Sequence, residues 1–432
     1  MRKDKDKMHK AHLEILRDIT IDDLPGIKID SLLFTDIIFS YEMKWSYVIK
    51  HLLVRLFSRY LRLNYISQPN SDILLFTYIY NRKDHDGYWA KFKKVVNNYN
   101  EVSFHYSYSF KNLKFSIKDI ESYIYIIRKF KNIKELKTKV WISLQILNAI
   151  KIVNKLNENN IKSKVLFTFF DGGYEGNIIT QYFKNAKYKT ITLQHGQCLY
   201  RGDNIDRLNQ SVILNFISDY CICKGEFAKQ QFIKANFPKE MLLPLGNLDC
   251  DNYTSKIEEE SPTKNTFCVF LDTPSYPFYS FSTKTLINTA NRFAEKYSFK
   301  YYVKPHPADT KKEYLKYIEG DFCIGELDKN YSIMSIKHKV DFSIFHASAI
   351  YSDLLLNHMK SFKLETKISF EIVLNPDDTF SSVDELMRKL ESWRLFSLID
   401  KEKHFITENI HYSNPSGVIN RYKDFISQIS QL

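Results

Sequence analysis

Phe267-Cys268-Val269-Phe270-Leu271, a helical stretch over 283–296, and Phe299-Lys300-Tyr301-Tyr302-Val303-Lys304 together read as one strand–helix–strand unit. The two apolar runs are short enough for buried strands, and the stretch between them carries apolar residues at helical spacing. The same order recurs upstream. Strands are expected over 72–80, 101–107, 164–170 and 188–194, and helices over 89–97, 140–157 and 176–184. The 140–157 helix reads as amphipathic. Short strands at 220–223 and 241–245 flank a helix over 226–236. Downstream come a strand over 341–345 and helices over 347–356, 383–393 and 418–432. Repeated strand-then-helix order predicts parallel sheets covered on both faces. A polar linker over 251–264, containing Glu258-Glu259-Glu260-Ser261-Pro262, separates two such series. The expected class is therefore α/β, with two lobes and a cleft between them. Their expected limits are 1–215 and 216–415, with a closing helix over 416–432.

Composition narrows the classes. The 432 residues suggest two or three domains at ~150 residues each. Apolar residues make up 44% and charged residues 26%, ordinary for a globular chain. No run approaches the roughly 18 apolar residues that span a bilayer, and the charged start from Met1 to Lys10 is no secretory signal. Six cysteines without a CxxC pair make neither a disulfide framework nor a zinc site, so a cytoplasmic setting is expected. Cys221 and Cys223 read as one face of a buried strand. The net charge of +12 favours anionic partners. Nucleic acid is not among those expected, because no RNP, zinc-finger or helix-turn-helix pattern occurs. Residues 43–63 hold Lys44, Lys50, Arg55, Arg59 and Arg62 with no acid, among aromatic and aliphatic residues at roughly helical spacing. That pattern suits either a domain helix or a helix lying on an anionic bilayer.

Four strand ends carry candidate chemistry. Tyr301-Tyr302-Val303 runs into Lys304-Pro305-His306-Pro307. The prolines restrict the backbone around His306, Lys304 offers a point charge for phosphate, and His306 can donate or accept a proton. The segment 190–194 ends in Gln194-His195-Gly196, where His195 is a candidate acid or base. Phe169-Phe170 delivers Asp171 into a turn with Gly172, Gly173, Glu175 and Gly176, so Asp171 is either a general base or a turn residue. Asp341–Phe345 leads to His346-Ala347-Ser348, where a helix start with a serine would bind an anion. No HExxH, Walker or GxSxG sequence occurs, and no metal site is expected. Asp249 and Asp251 form the nearest Asp-x-Asp pair to the linker.

At these residues the chain resembles GT-B-fold transferases of bacterial surface polysaccharide synthesis: sialyltransferases, capsular Kdo transferases and teichoic-acid glycerophosphotransferases. The resemblance covers about residues 165–360 and includes Asp219–Glu226 and Pro244-Leu245-Gly246-Asn247, which look like the lobe-connecting segment of such enzymes. It implies a GT-B-like pair of Rossmann-like lobes. His306 and Ser348 would contact the donor nucleotide, joined by Lys304, Gly246 and Asn247. Asp171 corresponds to the catalytic base of sialyltransferases, although only one acid of their motif is kept. The single Ser348 after Ala347 replaces a double serine, and Ser352 stands where an acid is usual.

The expected activity is metal-independent transfer of a sugar from a nucleotide donor, CMP- or UDP-linked, to a glycan or lipid-linked glycan. Asp171, His195 and His306 are the catalytic candidates, and no cofactor is expected beyond the donor substrate. Transfer of a polyol phosphate from a CDP-activated alcohol is the alternative, followed by nucleotide-sugar epimerisation. Peripheral contact with the inner face of the membrane is expected through 43–63.

Overall fold

The computed structural model describes residues 2–57, 59–77, 83–108, 117–194, 200, 215–248, 264–272, 274, 279–307, 309, 312–328, 333–348, 350–357, 359–367, 375–395 and 417–431. Thirteen strands in these residues form two sheets. The first holds β1 (Arg59–Ile66), β2 (Ile73–Thr77), β3 (Asn100–Tyr108), β4 (Val165–Phe169), β5 (Lys189–Leu193), β6 (Tyr220–Ile222) and β7 (Leu242–Leu243). Its order is β1-β3-β2-β4-β5-β6-β7, parallel except where β1 runs against β3. The second holds β8 (Thr266–Phe270), β9 (Lys300–Lys304), β10 (Cys323–Glu326), β11 (Phe342–Phe345), β12 (Ser361–Leu364) and β13 (Thr379–Phe380). Its order is β10-β9-β8-β11-β12-β13, parallel throughout. The expected α/β architecture of two mostly parallel sheets is observed.

Alternation along each strand divides its side chains between two covered faces. In β2, Leu74 and Phe76 join one core with the helix Leu136–Asn157, while Ile73 and Leu75 join another with the helix Lys83–Val96. In the second sheet, Phe267 and Val269 face the helices Tyr279–Tyr297 and Val383–Leu395. Cys268 and Phe270 face the opposite side, with Ile336 and Leu354. Phe267 and Phe342 stack at 5.1 Å between ring centroids on neighbouring strands.

Four expectations change. The helix Leu136–Asn157 is not amphipathic over its middle: every residue from Trp141 to Ile150 is buried, because the first sheet and the helices Phe34–Glu42, Trp45–Phe57 and Ile117–Lys129 enclose it. Its polar groups are satisfied inside, with Trp141 Nε1 donating to Asp36 at 3.0 Å and Ser143 Oγ to the Lys139 carbonyl at 2.8 Å. Residues 43–63 are not one helix. A helix Trp45–Phe57 is followed directly by β1, which is held by eight register pairs from Arg59↔Tyr108 to Ile66↔Glu101. The helix expected from Ala347 begins at Tyr351. Finally, β6 and β7 were expected in the second lobe and instead extend the first sheet, so the division between sheets falls after Leu243, not at 215.

The C-terminal helix Val418–Ser430 returns to the first sheet. Val418, Tyr422, Ile426 and Ile429 join the core of Phe92, Phe167 and Leu193. Tyr422 is fully buried; its hydroxyl lies 3.2 Å from that of Tyr88 and donates to the Gly246 carbonyl at 3.1 Å. The helix Val418–Ser430 thus covers the first sheet although the whole second sheet precedes it in sequence.

Candidate functional site

Parallel α/β sheets bind ligands at the carboxyl ends of their strands, where helix starts and free backbone groups converge. In the second sheet the ends of β9, β8 and β11 are neighbours, and they carry Lys304, Asp272 and Ala347-Ser348 respectively. Backbone and side-chain bonds join them in a row. Leu271 N–H donates to the Lys304 carbonyl at 3.1 Å, and Ala347 N–H to Asp272 Oδ1 at 3.0 Å. Ser282 Oγ donates to Asp272 Oδ2. Lys304, the first of the row, is buried at 8% exposure, an unusual place for an ammonium group and one that requires compensating partners. It sits close enough to Cys268 to oppose, without overcoming, the burial that pushes that thiol's pKa up.

His306 follows two residues later, half-buried, in a turn closed by Asp309 N–H on the His306 carbonyl at 2.8 Å. The buried Asp309 carboxylate accepts from Tyr279 Oη at 2.6 Å and from Lys312 N–H at 3.1 Å. The proline-flanked histidine is therefore anchored both by its own backbone and by the first residue of the helix Tyr279–Tyr297. Ser348 is half-buried, and its Oγ accepts from Ile350 N–H at 3.4 Å, three residues ahead of the short helix Tyr351–Leu356.

Asp272, His346 and Asp309 were given no role on sequence. His346 is buried, with Nε2 2.9 Å from Thr366 Oγ1 and Nδ1 3.6 Å from Asp272 Oδ2. The available signal was positional: Asp272 follows β8, and His346 follows β11, as Lys304 ends β9.

In the first sheet, Asp171 follows β4 and Gln194 follows β5, on adjacent strands. Asp171 is fully buried. Its Oδ2 accepts from Ile217 N–H at 3.1 Å, Ser218 N–H at 2.7 Å and Ser218 Oγ at 2.5 Å. Its Oδ1 has no partner among the described residues. Burial pushes its pKa up to about 6 against these three donors, which favour the charged form. Gly176, in the first turn of the helix Tyr174–Asn185, approaches so closely that an added Cβ would meet the Phe170 carbonyl oxygen at 2.3 Å, so only glycine fits there. Gln194 Oε1 accepts from Lys224 N–H at 2.8 Å, tying the end of β5 to the end of β6. His195 lies outside the described residues, as do Asp249 and Asp251.

Gly246 and Asn247 lie where the chain leaves the first sheet. Gly246 has φ +104°, and its carbonyl faces Tyr422 of the C-terminal helix. Asn247 is buried beside it. Among the described residues, no group of three His, Cys, Asp or Glu side chains could hold a metal ion, and no helix is long and apolar enough to cross a membrane.

No protein-family model and no curated protein matches the chain. Solved structures do. A UDP-GlcNAc 2-epimerase from Neisseria meningitidis, bound to UDP-GlcNAc, is 11% identical over 83% of this chain and 99% of that one, with TM-score 0.46. An E. coli structure described as trehalose-6-phosphate bound with UDP-2-fluoro glucose is 11% identical over 83% and 99%, with TM-score 0.45. A TarM mutant from S. aureus, in complex with fondaparinux, alpha-GlcNAc-glycerol and UDP, is 10% identical over 65% and 59%, with TM-score 0.41.

Proposed function

We propose that this chain is a GT-B-type glycosyltransferase that moves a sugar from a nucleotide-activated donor to a bacterial surface glycan, without a metal ion. The row of strand-end groups in the second sheet carries the reading: Lys304, His306 and Ser348 lie on or beside neighbouring parallel strands, joined through Leu271 and Asp272. In the reaction, the acceptor hydroxyl oxygen attacks the anomeric carbon. The bond from that carbon to the phosphate oxygen breaks, and the nucleotide leaves with the electron pair. Lys304 and His306 neutralise the charge that develops on the departing phosphate, and Ser348 Oγ donates to it. Asp171 or His195 takes the acceptor proton. A base with a pKa near 6, as Asp171 has, is mostly ionised at neutral pH yet retains enough basicity to accept it.

The test is a donor panel followed by one variant. Nucleotide donors are screened for thermal stabilisation, and the donor that stabilises is used in a transfer assay with product analysis. His306→Ala is expected to lower kcat/KM by ~10²-fold or more with an unchanged melting temperature. Turnover near the wild-type value would remove His306 from the site. A phosphodiester product would instead identify polyol-phosphate transfer, and conversion of the donor without acceptor would identify an epimerase.

A further inference from the structure

The helix Trp45–Phe57 buries only part of its circumference. Val48 is fully buried, and Tyr47 and His51 pack beside Trp141 at 6.0 and 5.7 Å between ring centroids. Trp45, Ile49 and Leu53 fall at i, i+4 and i+8, so they form one row along the helix. They are 45%, 49% and 52% exposed. Large apolar side chains scattered singly need no explanation, but three in line on one helix do. Lys44 and Lys50 are exposed beside this row. No acid occurs from Met43 to Leu63, while five bases do. Lys137 fixes the start of this helix to its support, donating from Nζ to the Met43 carbonyl at 2.8 Å and to the Tyr41 carbonyl at 3.3 Å.

From this geometry we infer that the Trp45–Ile49–Leu53 row is a docking surface for an anionic lipid bilayer. The apolar row enters the boundary between headgroups and acyl chains, and the exposed Lys44 and Lys50 beside it meet the lipid phosphates. The charge decides between occupants. A second copy of this chain would bring the same bases against themselves, and a neutral apolar partner would leave them uncompensated. An anionic surface satisfies both the row and the bases. The inference stands apart from the transfer reaction and is tested without donor or acceptor.

The full chain is sedimented with vesicles of phosphatidylcholine alone and with vesicles in which about a third of the lipid is anionic phosphatidylglycerol, which gives the surface a negative potential. Binding to the anionic vesicles, weakened by salt, is expected. Lys44→Gln with Lys50→Gln should weaken it by roughly 30-fold, since a base near such a surface contributes about a factor of five. Ile49→Ser with Leu53→Ser should weaken it by about 10-fold or more, with an unchanged melting temperature because both side chains are exposed. Equal binding to both vesicle types, or binding to neither, overturns the inference. So does a concentration-dependent dimer that Ile49→Ser with Leu53→Ser abolishes, which would assign the row to a second copy.

Discussion

Asp171→Asn isolates the energetic cost of one buried carboxylate. The native pKa is about 6 against an ordinary 3.8, a difference of about two units at 1.36 kcal/mol each, or ~3 kcal/mol. The sign follows from the native state holding its proton longer than the unfolded chain. Stability from this group is fully present below pH ~4, falls as pH rises towards 6 and is flat beyond. Asparagine keeps an acceptor for Ile217 N–H and Ser218 N–H but cannot ionise. The stability difference, wild type minus variant, should therefore fall by ~3 kcal/mol between pH 3 and pH 8. Urea unfolding at unit pH steps measures it, and slopes equal in both chains keep the comparison two-state. Other groups cancel because both chains share them. One is Asp219, where burial is outweighed by the Thr190 N–H and the Lys184 ammonium, so its contribution has the opposite sign. A difference constant to within about 0.5 kcal/mol across this range would refute the reasoning, being no larger than ordinary non-additivity.

Gly246→Ala should cost ~1–3 kcal/mol, measured as a lower melting temperature, because φ is +104° and the new Cβ would lie 3.0 Å from Arg421 Nη2 and 3.1 Å from Val418 Cγ2. Chelation with EDTA should leave most of the transfer activity; complete loss restored by Mg²⁺ or Mn²⁺ would point first to Asp249 and Asp251. Calorimetric titration with CMP, CDP, UMP and UDP should favour the monophosphates over the diphosphates, because Lys304 is the single fixed cation among Lys304, His306 and Ser348 and a diphosphate leaves more charge to neutralise. Tight UDP binding with no CMP or CDP binding would reverse that choice while leaving the proposed sugar transfer in place.

The alternation of short apolar runs with helical stretches was enough, on sequence, to establish the α/β class and the parallel order within each series. Local periodicity reports which face of an element is covered, and the strands around Phe267, Tyr301 and Phe342 carry that signal in five or six residues each. The strand ends were legible for the same reason: Lys304-Pro305-His306 and Asp171 stand where an apolar run stops. Pairing across the chain was not legible. The run Arg59 to Ile66 satisfies both a helical and an alternating pattern. What made it a strand was β3, which places Leu61, Leu63 and Tyr65 on the core side. The all-round burial of Trp141 to Ile150 needed cover from the N-terminal helices, more than a hundred residues away for Asp36 and Trp141. The sheet that β6 and β7 join, the partners of Asp272 and Asp309, and the return of the C-terminal helix onto Gly246 are contacts between segments far apart in sequence. No local pattern encodes such contacts, because each is chosen by the packing of elements whose individual periodicities are already satisfied.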